Sequence, residues 1–282
     1  VTRVRIRTAT FLAPALAAVF AAGCGTAGLA HLGPLDGCDP ELAAGVDGSA
    51  IALHRTATPD LACTLSALRD ADRPRADQAI QAARVCAELS TRAAETDRME
   101  RFAHECVRWA RHAGEEPAVR GAARYLEGLC LGNAVRHSPL KAVKSLPHLE
   151  KVLTAAMKAD PDQDDGGPLR VLGMLYLKAP AWPQGIGDVD RGIELITEAV
   201  ERYPDHPLNR LFLALALWDV EEDRDAAARE LGIALRHMHS ERWSHVAASW
   251  RKEAAVLASD MGVSLPDSAP SDPPIDNAPA SD

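Results

Sequence analysis

Three stretches of the chain repeat one spacing of small and large residues. Leu149, Leu153, Ala156 and Pro161 stand at steps of 4, 3 and 5, and Gly192, Ile196, Ala199 and Pro204 use the same steps. Ala227, Leu231 and Ala234 repeat the first two steps. Spacings of three and four put such residues on one face of an α-helix. A small residue there lets a second helix approach closely. The large residue fills the gap to a neighbouring unit, and the proline stops the helix. Ala199 and Ala234 are 35 residues apart, which is the length of a helical hairpin with its turns. A lone hairpin cannot bury its apolar face, so units of this kind must stack. The composition agrees: 52 of 282 residues are alanine and 4% are aromatic. That balance disfavours strands, which draw on β-branched and aromatic residues.

The same periodicity predicts helices over 75–93, 97–112, 118–136, 147–159, 168–178, 188–203, 207–221, 223–238 and 241–260. The links are mostly short and carry Pro, Gly or Asp, which makes neighbouring helices antiparallel. A shorter helix is expected at Thr58-Pro59-Asp60, with Thr58 as N-cap and Pro59 in the first helical position. The expected fold is all-α, an antiparallel helix-hairpin solenoid over 75–261. Residues 24–74 read as a tether with one short helix. Residues 262–282 form a Pro- and Asp-rich tail too polar to bury a core.

Residues 1–23 read as a signal peptide. Arg3, Arg5 and Arg7 precede an apolar run from Phe11 to Ala22, which is too short to span a bilayer. Ala21-Ala22-Gly23-Cys24 resembles the lipobox of bacterial lipoproteins, although alanine stands where leucine is usual. The resemblance implies cleavage before Cys24 and lipidation of Cys24, and multiple acyl chains suffice for stable anchoring. Gly25, rather than aspartate, then implies an outer-membrane location facing the periplasm. Ordinary secretion with Cys24 free is the alternative. Cleavage removes three arginines and no acid, taking the net charge from −9 to −12. Such an acidic chain lacks the basic stripe of a nucleic-acid binder.

An exported chain can form disulfides. Cys86 and Cys106 lie ten residues either side of position 96, the expected centre of a hairpin turn, so they form the first candidate pair. The alternative is two small buried residues that never bond. Cys38 and Cys63 form the second pair, with Cys130 left over.

Catalytic signals are absent from the sequence: no GxSxG, HExxH, P-loop or dinucleotide-binding glycine motif occurs, and no cofactor is expected. His237, Glu241 and His245 would share a face on a continuous helix, but Ser240 reads as a helix start that breaks it. Trp243 and Trp250 lie seven apart on the expected last helix and read as core packing. Asp160, Asp162, Asp164 and Asp165 fail the calcium-loop spacing, so the stretch reads as a solvated acidic linker and no metal site is expected. The insert from Lys178 to Asp188 is the candidate binding loop. It holds Trp182 and Pro183, and Asp188 is also a helix cap. Trp182 either binds a partner or tucks back as a plug.

Leu172-Gly173 with Tyr176, then Gly192, Ala199 and Pro204, together resemble the two helices of a tetratricopeptide (TPR) repeat. Leu213-Ala214 and Leu217 take the same places in the next unit. Joined to the lipobox, the run Gly167 to Pro180 followed by Gly187-Asp188 resembles TPR lipoproteins. More loosely it resembles the T component associated with tripartite ATP-independent periplasmic (TRAP) transporters. The resemblance implies a non-catalytic, membrane-anchored scaffold that binds a periplasmic protein or lines a ligand site. A transporter substrate-binding protein is the partner it suggests. The alternative is an adaptor in envelope-protein or peptidoglycan-machinery assembly.

Overall fold

A computed structural model describes residues 50–70 and 74–264. The expected signal peptide, Cys24, Cys38 and the residues beyond position 264 lie outside the described residues. Among those described there are eleven α-helices and no strand. They are α1 (Ala50–Arg55), α2 (Thr58–Arg69), α3 (Ala76–Arg92), α4 (Thr96–Ala113), α5 (Arg120–Val135) and α6 (Pro139–Ala159). There follow α7 (Gln163–Lys178), α8 (Val189–Arg202), α9 (Pro207–Asp219), α10 (Arg224–His237) and α11 (Ala247–Met261). Short 3-10 turns at Pro117–Val119 and Glu241–Trp243 precede α5 and α11. None of the described helices is long and apolar enough to cross a membrane.

Helices pack mainly against their neighbours in sequence, with the tightest pairs α3–α4, α4–α5, α7–α8 and α9–α10. The spacing residues do what the pattern demands: Ala156, Ala199, Ala227 and Ala234 are buried, as are Leu153, Ile196 and Leu231. In α7 and α8 the backbones meet at Gly173 and Gly192. A Cβ on Gly173 would lie 2.7 Å from Ile196 Cγ1 and 2.9 Å from the Gly192 carbonyl oxygen. Apolar burial is divided among three clusters, over α1–α6, over α6–α8 and over α9–α11.

The packed structure starts earlier than expected. Leu53, Leu61 and Leu65 join the same core as α3 to α5, so residues from Ala50 onward are not a tether. Ala57 is the N-cap of α2, and Thr58 and Pro59 are its first two residues. Helix α6 begins at Pro139 rather than 147 and carries Pro147 inside it. Ser240 opens only the 3-10 turn, and α11 starts at Ala247. Trp243 and Trp250 therefore sit on different elements, yet their rings pack 5.2 Å apart.

The expected Cys86–Cys106 bridge is not made. Cys106 bonds Cys130, with Cα atoms 6.0 Å apart, and Cys86 is a free, buried thiol. The register of the α3–α4 hairpin explains this. The Ser90 hydroxyl donates to the Met99 carbonyl at 3.1 Å, which levels Cys86 with a position near Ala103. Cys106 is then offset along the axis by about 4.5 Å, at 1.5 Å per residue. It faces α5 instead. Cys63 is disulfide-bonded, and its expected partner, Cys38, lies outside the described residues.

Candidate functional site: a central chamber and an exposed loop

The two ends of the described chain meet. Helix α1 lies against α3 and the 3-10 turn before α11. Arg92 of α3 donates to the Leu53 carbonyl at 2.8 Å and to the Thr56 carbonyl at 2.7 Å, satisfying acceptors that a helix end leaves open. It also donates to Glu88 Oε1 at 2.6 Å, while His54 Nδ1 meets Glu88 Oε2 at 3.0 Å. The His54 ring packs tilted against Trp243 and edge-on to Trp250, with centroids 5.0 and 5.8 Å apart. Arg55 pairs with Glu241, and the His245 amide donates to the His54 carbonyl.

This closure helps form a half-open chamber of about 1010 Å³ between α1, α3, α4, α5, α6, α7, α9 and α11. That is the upper end of the range for small-molecule sites. Leu129, Leu175, Phe212 and Leu215 are among its apolar lining. Ion pairs Lys178–Asp219 and Arg136–Glu253, at 2.7 and 3.1 Å, also belong to the lining.

One region of the chamber is polar: His54, Glu88, Tyr125, Asp164, Arg170 and His206 all line it. Its base is a strained turn at the head of α7, where Asp164, Asp165 and Gly166 have φ of 53°, 49° and 81°. A left-handed non-glycine residue costs about 1–2 kcal/mol. Side chains hold the turn in place. Arg170 Nη2 donates to Asp164 Oδ2 at 2.9 Å, the Tyr125 hydroxyl donates to the same oxygen, and Asp165 pairs with Arg242. Asn209, fully buried, accepts from Arg170 Nη1 at 2.7 Å. Its amide donates to the carbonyls of Asp165, Ala199 and Tyr203. The acidic run is thus a solvated linker only in part: Asp160 and Asp162 are exposed, whereas Asp164 and Asp165 are half-buried and matched by Arg170, six residues on, and by the distant Arg242.

Burial opposes a charge on His54, but the hydrogen bond and charge of Glu88 outweigh it and raise its pKa above the ordinary 6.5. Burial likewise opposes ionisation of Glu88, yet His54 and Arg92 draw its pKa below 4.5. His206 goes the other way. Burial, then the positive charges of Arg170, His54 and Arg242, push it well below 6.5. Burial and Asp164 push the Tyr125 hydroxyl well above 10.

The sequence-derived candidates lie elsewhere. Trp182 is 85% exposed, so it is no plug. Its loop is folded on itself: the Gly187 amide donates to the Pro180 carbonyl at 2.8 Å and the Gln184 amide to the Ala181 carbonyl at 3.1 Å. The Trp182–Pro183 peptide is cis. Asp188 caps α8 by accepting the Arg191 amide hydrogen at 3.1 Å. His237 turns to the Asp205 carbonyl and Glu241 to Arg55. Among the described residues no group of three His, Cys, Asp or Glu side chains is placed to hold a metal ion. Of the polar chamber residues only Asp164 stood out in the sequence, as part of the acidic run; His54, Glu88, Tyr125, Arg170 and His206 carry no motif. The one local sign is His206-Pro207, a polar residue before a helix-opening proline. No protein-family model and no curated protein matches the chain.

Proposed function

We propose that the chain is a non-catalytic periplasmic lipoprotein, anchored through Cys24, whose TPR-like helical hairpins form a protein-binding scaffold. Its proposed place is as a T-component-like accessory of a TRAP-type transporter, with the substrate-binding protein as partner. The observation that carries the scaffold reading is Trp182. An aromatic ring held out in solvent on a loop pinned by its own backbone bonds costs little entropy to dock, and tryptophan is enriched among the residues that anchor protein interfaces. Sequential hairpin packing and the Gly173–Gly192 approach support the TPR-like architecture. The lipobox resemblance supports the anchor.

A photo-crosslinking amino acid at position 182 tests it in intact envelopes. The expected result is a discrete protein adduct that a crosslinker at exposed Glu201 does not give, and that mass spectrometry identifies. A transporter binding protein in the adduct supports the accessory role, and assembly machinery supports the adaptor alternative. No adduct, or the same adducts from both positions, overturns the reading. Cys24→Ala should move the protein from the membrane to the soluble fraction.

A further inference from the structure

The chamber wall holds a hydrogen-bond donor that no nitrogen or oxygen of the described residues receives. His206, at the start of α9, is 3% exposed. Its Nδ1 accepts the Leu208 amide hydrogen at 3.2 Å, so the proton of the neutral ring sits on Nε2. Among the described residues no acceptor takes that proton. The nitrogen is not sealed off either, because the buried side-chain atoms lacking a partner are Arg242 Nε and Arg251 Nε. It therefore faces the chamber that His206 lines. A buried donor left open on a cavity wall marks a place where a ligand atom accepts.

The surroundings decide the sign of that ligand. The nearby carboxylates are already engaged: Glu88 takes His54 and Arg92, and Asp164 takes Arg170 and Tyr125. A cation would find no free acid there. An anion would find the Nε2–H donor beside a cluster in which Arg170 and Asp164 balance but Glu88 is shared by two bases, His54 and Arg92, which leaves a positive excess when His54 is protonated. Away from this region the lining includes Leu129, Leu175, Phe212 and Leu215, which suit an apolar body.

We propose that the chamber binds an amphipathic organic anion, a long-chain carboxylate, with its carboxylate on His206 Nε2 and its chain along Leu129, Leu175, Phe212 and Leu215. Trp182 does not line the chamber, so this site stands apart from the partner-binding loop.

Calorimetric titration of the full mature chain with decanoate, decanol and decyltrimethylammonium tests it. Decanoate should bind saturably, one per chain and at least tenfold more tightly than decanol, and the ammonium should not bind. His206→Asn keeps an acceptor for the Leu208 amide but withdraws the Nε2 donor. It should weaken decanoate at least tenfold and leave decanol unchanged. Met174→Trp adds bulk inside the chamber and should abolish both. It serves as the deciding variant if His206→Asn melts early by circular dichroism. No decanoate binding, equal binding of decanoate and decanol, tighter binding of the ammonium, or undiminished decanoate binding in Met174→Trp overturns the proposal.

Discussion

Two glycines, on α5 and α7, show what one methyl group means here. At Gly173 an added Cβ meets Ile196 Cγ1 at 2.7 Å, whereas at Gly132 it meets nothing within 4 Å. The two alanine substitutions should therefore have opposite signs. Gly173→Ala forces α7 and α8 apart and should destabilise the fold by about 1–3 kcal/mol. Gly132→Ala removes backbone freedom from a helix interior and should stabilise by about 0.5–1 kcal/mol. Urea unfolding of both variants measures the difference. His206 carries a second prediction. Its folded pKa lies well below 6.5, so below pH 6.5 the unfolded chain takes up a proton that the folded chain refuses. Stability then falls as pH drops, with this residue contributing up to about 1.4 kcal/mol per pH unit. The stability difference between His206→Asn and wild type should shift in favour of the variant as pH falls from 6.5. A constant difference would show that His206 titrates normally.

At the scale of elements, α1 has the least local support and the most distant partners. It is 6 residues long, too short to persist as an isolated helix. Arg92, Glu88 and the pair of tryptophans hold it in place. His54 has a raised pKa, so its contribution is fully present below pH 6.5 and is lost as pH rises through the folded value. Protonated His54 thus strengthens the closure. Replacing His54 by alanine leaves Glu88 to Arg92 alone and uncovers Trp243 and Trp250. The expected result is faster amide exchange over 50–55 and a red shift of tryptophan fluorescence, with α7 to α10 unchanged. Exchange that rises equally everywhere would mean that α1 is part of one global unit rather than a separate strap.

Over the whole molecule, the Cys106–Cys130 bridge ties α4 to α5 across 24 residues. A loop of that size is worth about 3 kcal/mol in the chain-entropy account. Reduction, or the double substitution of both cysteines by serine, should lower the urea midpoint accordingly. Cys86 should behave oppositely to an exposed thiol. It is free and buried, and burial followed by the charge of Glu105 pushes its pKa well above 9. Only the thiolate alkylates quickly. Native protein should leave Cys86 unlabelled by iodoacetamide, and urea should expose it; peptide mapping reads both states.

The sequence by itself determined the helical class, most helix bounds within a few residues, and the buried alanines of the repeated spacing. Each of these is set by contacts between residues three or four apart, or by a proline or capping side chain nearby. Asp188 is legible for the same reason, since a cap acts on amides two or three residues away. Only the tertiary structure decided that Cys106 meets Cys130, that an apparent tether supplies α1, and that His54, Glu88, Arg170 and His206 share a chamber. Those pairings depend on how far one helix slides along the next and on where the chain ends meet. A slide of three residues moves a side chain by about 4.5 Å, enough to exchange one partner for another without altering the local pattern. The acidic run shows the limit plainly. Its composition reads as solvent-facing, which holds for Asp160 and Asp162; Asp164 and Asp165 were drawn in by Arg170 nearby and by Tyr125 and Arg242, which only the folded chain brings to them.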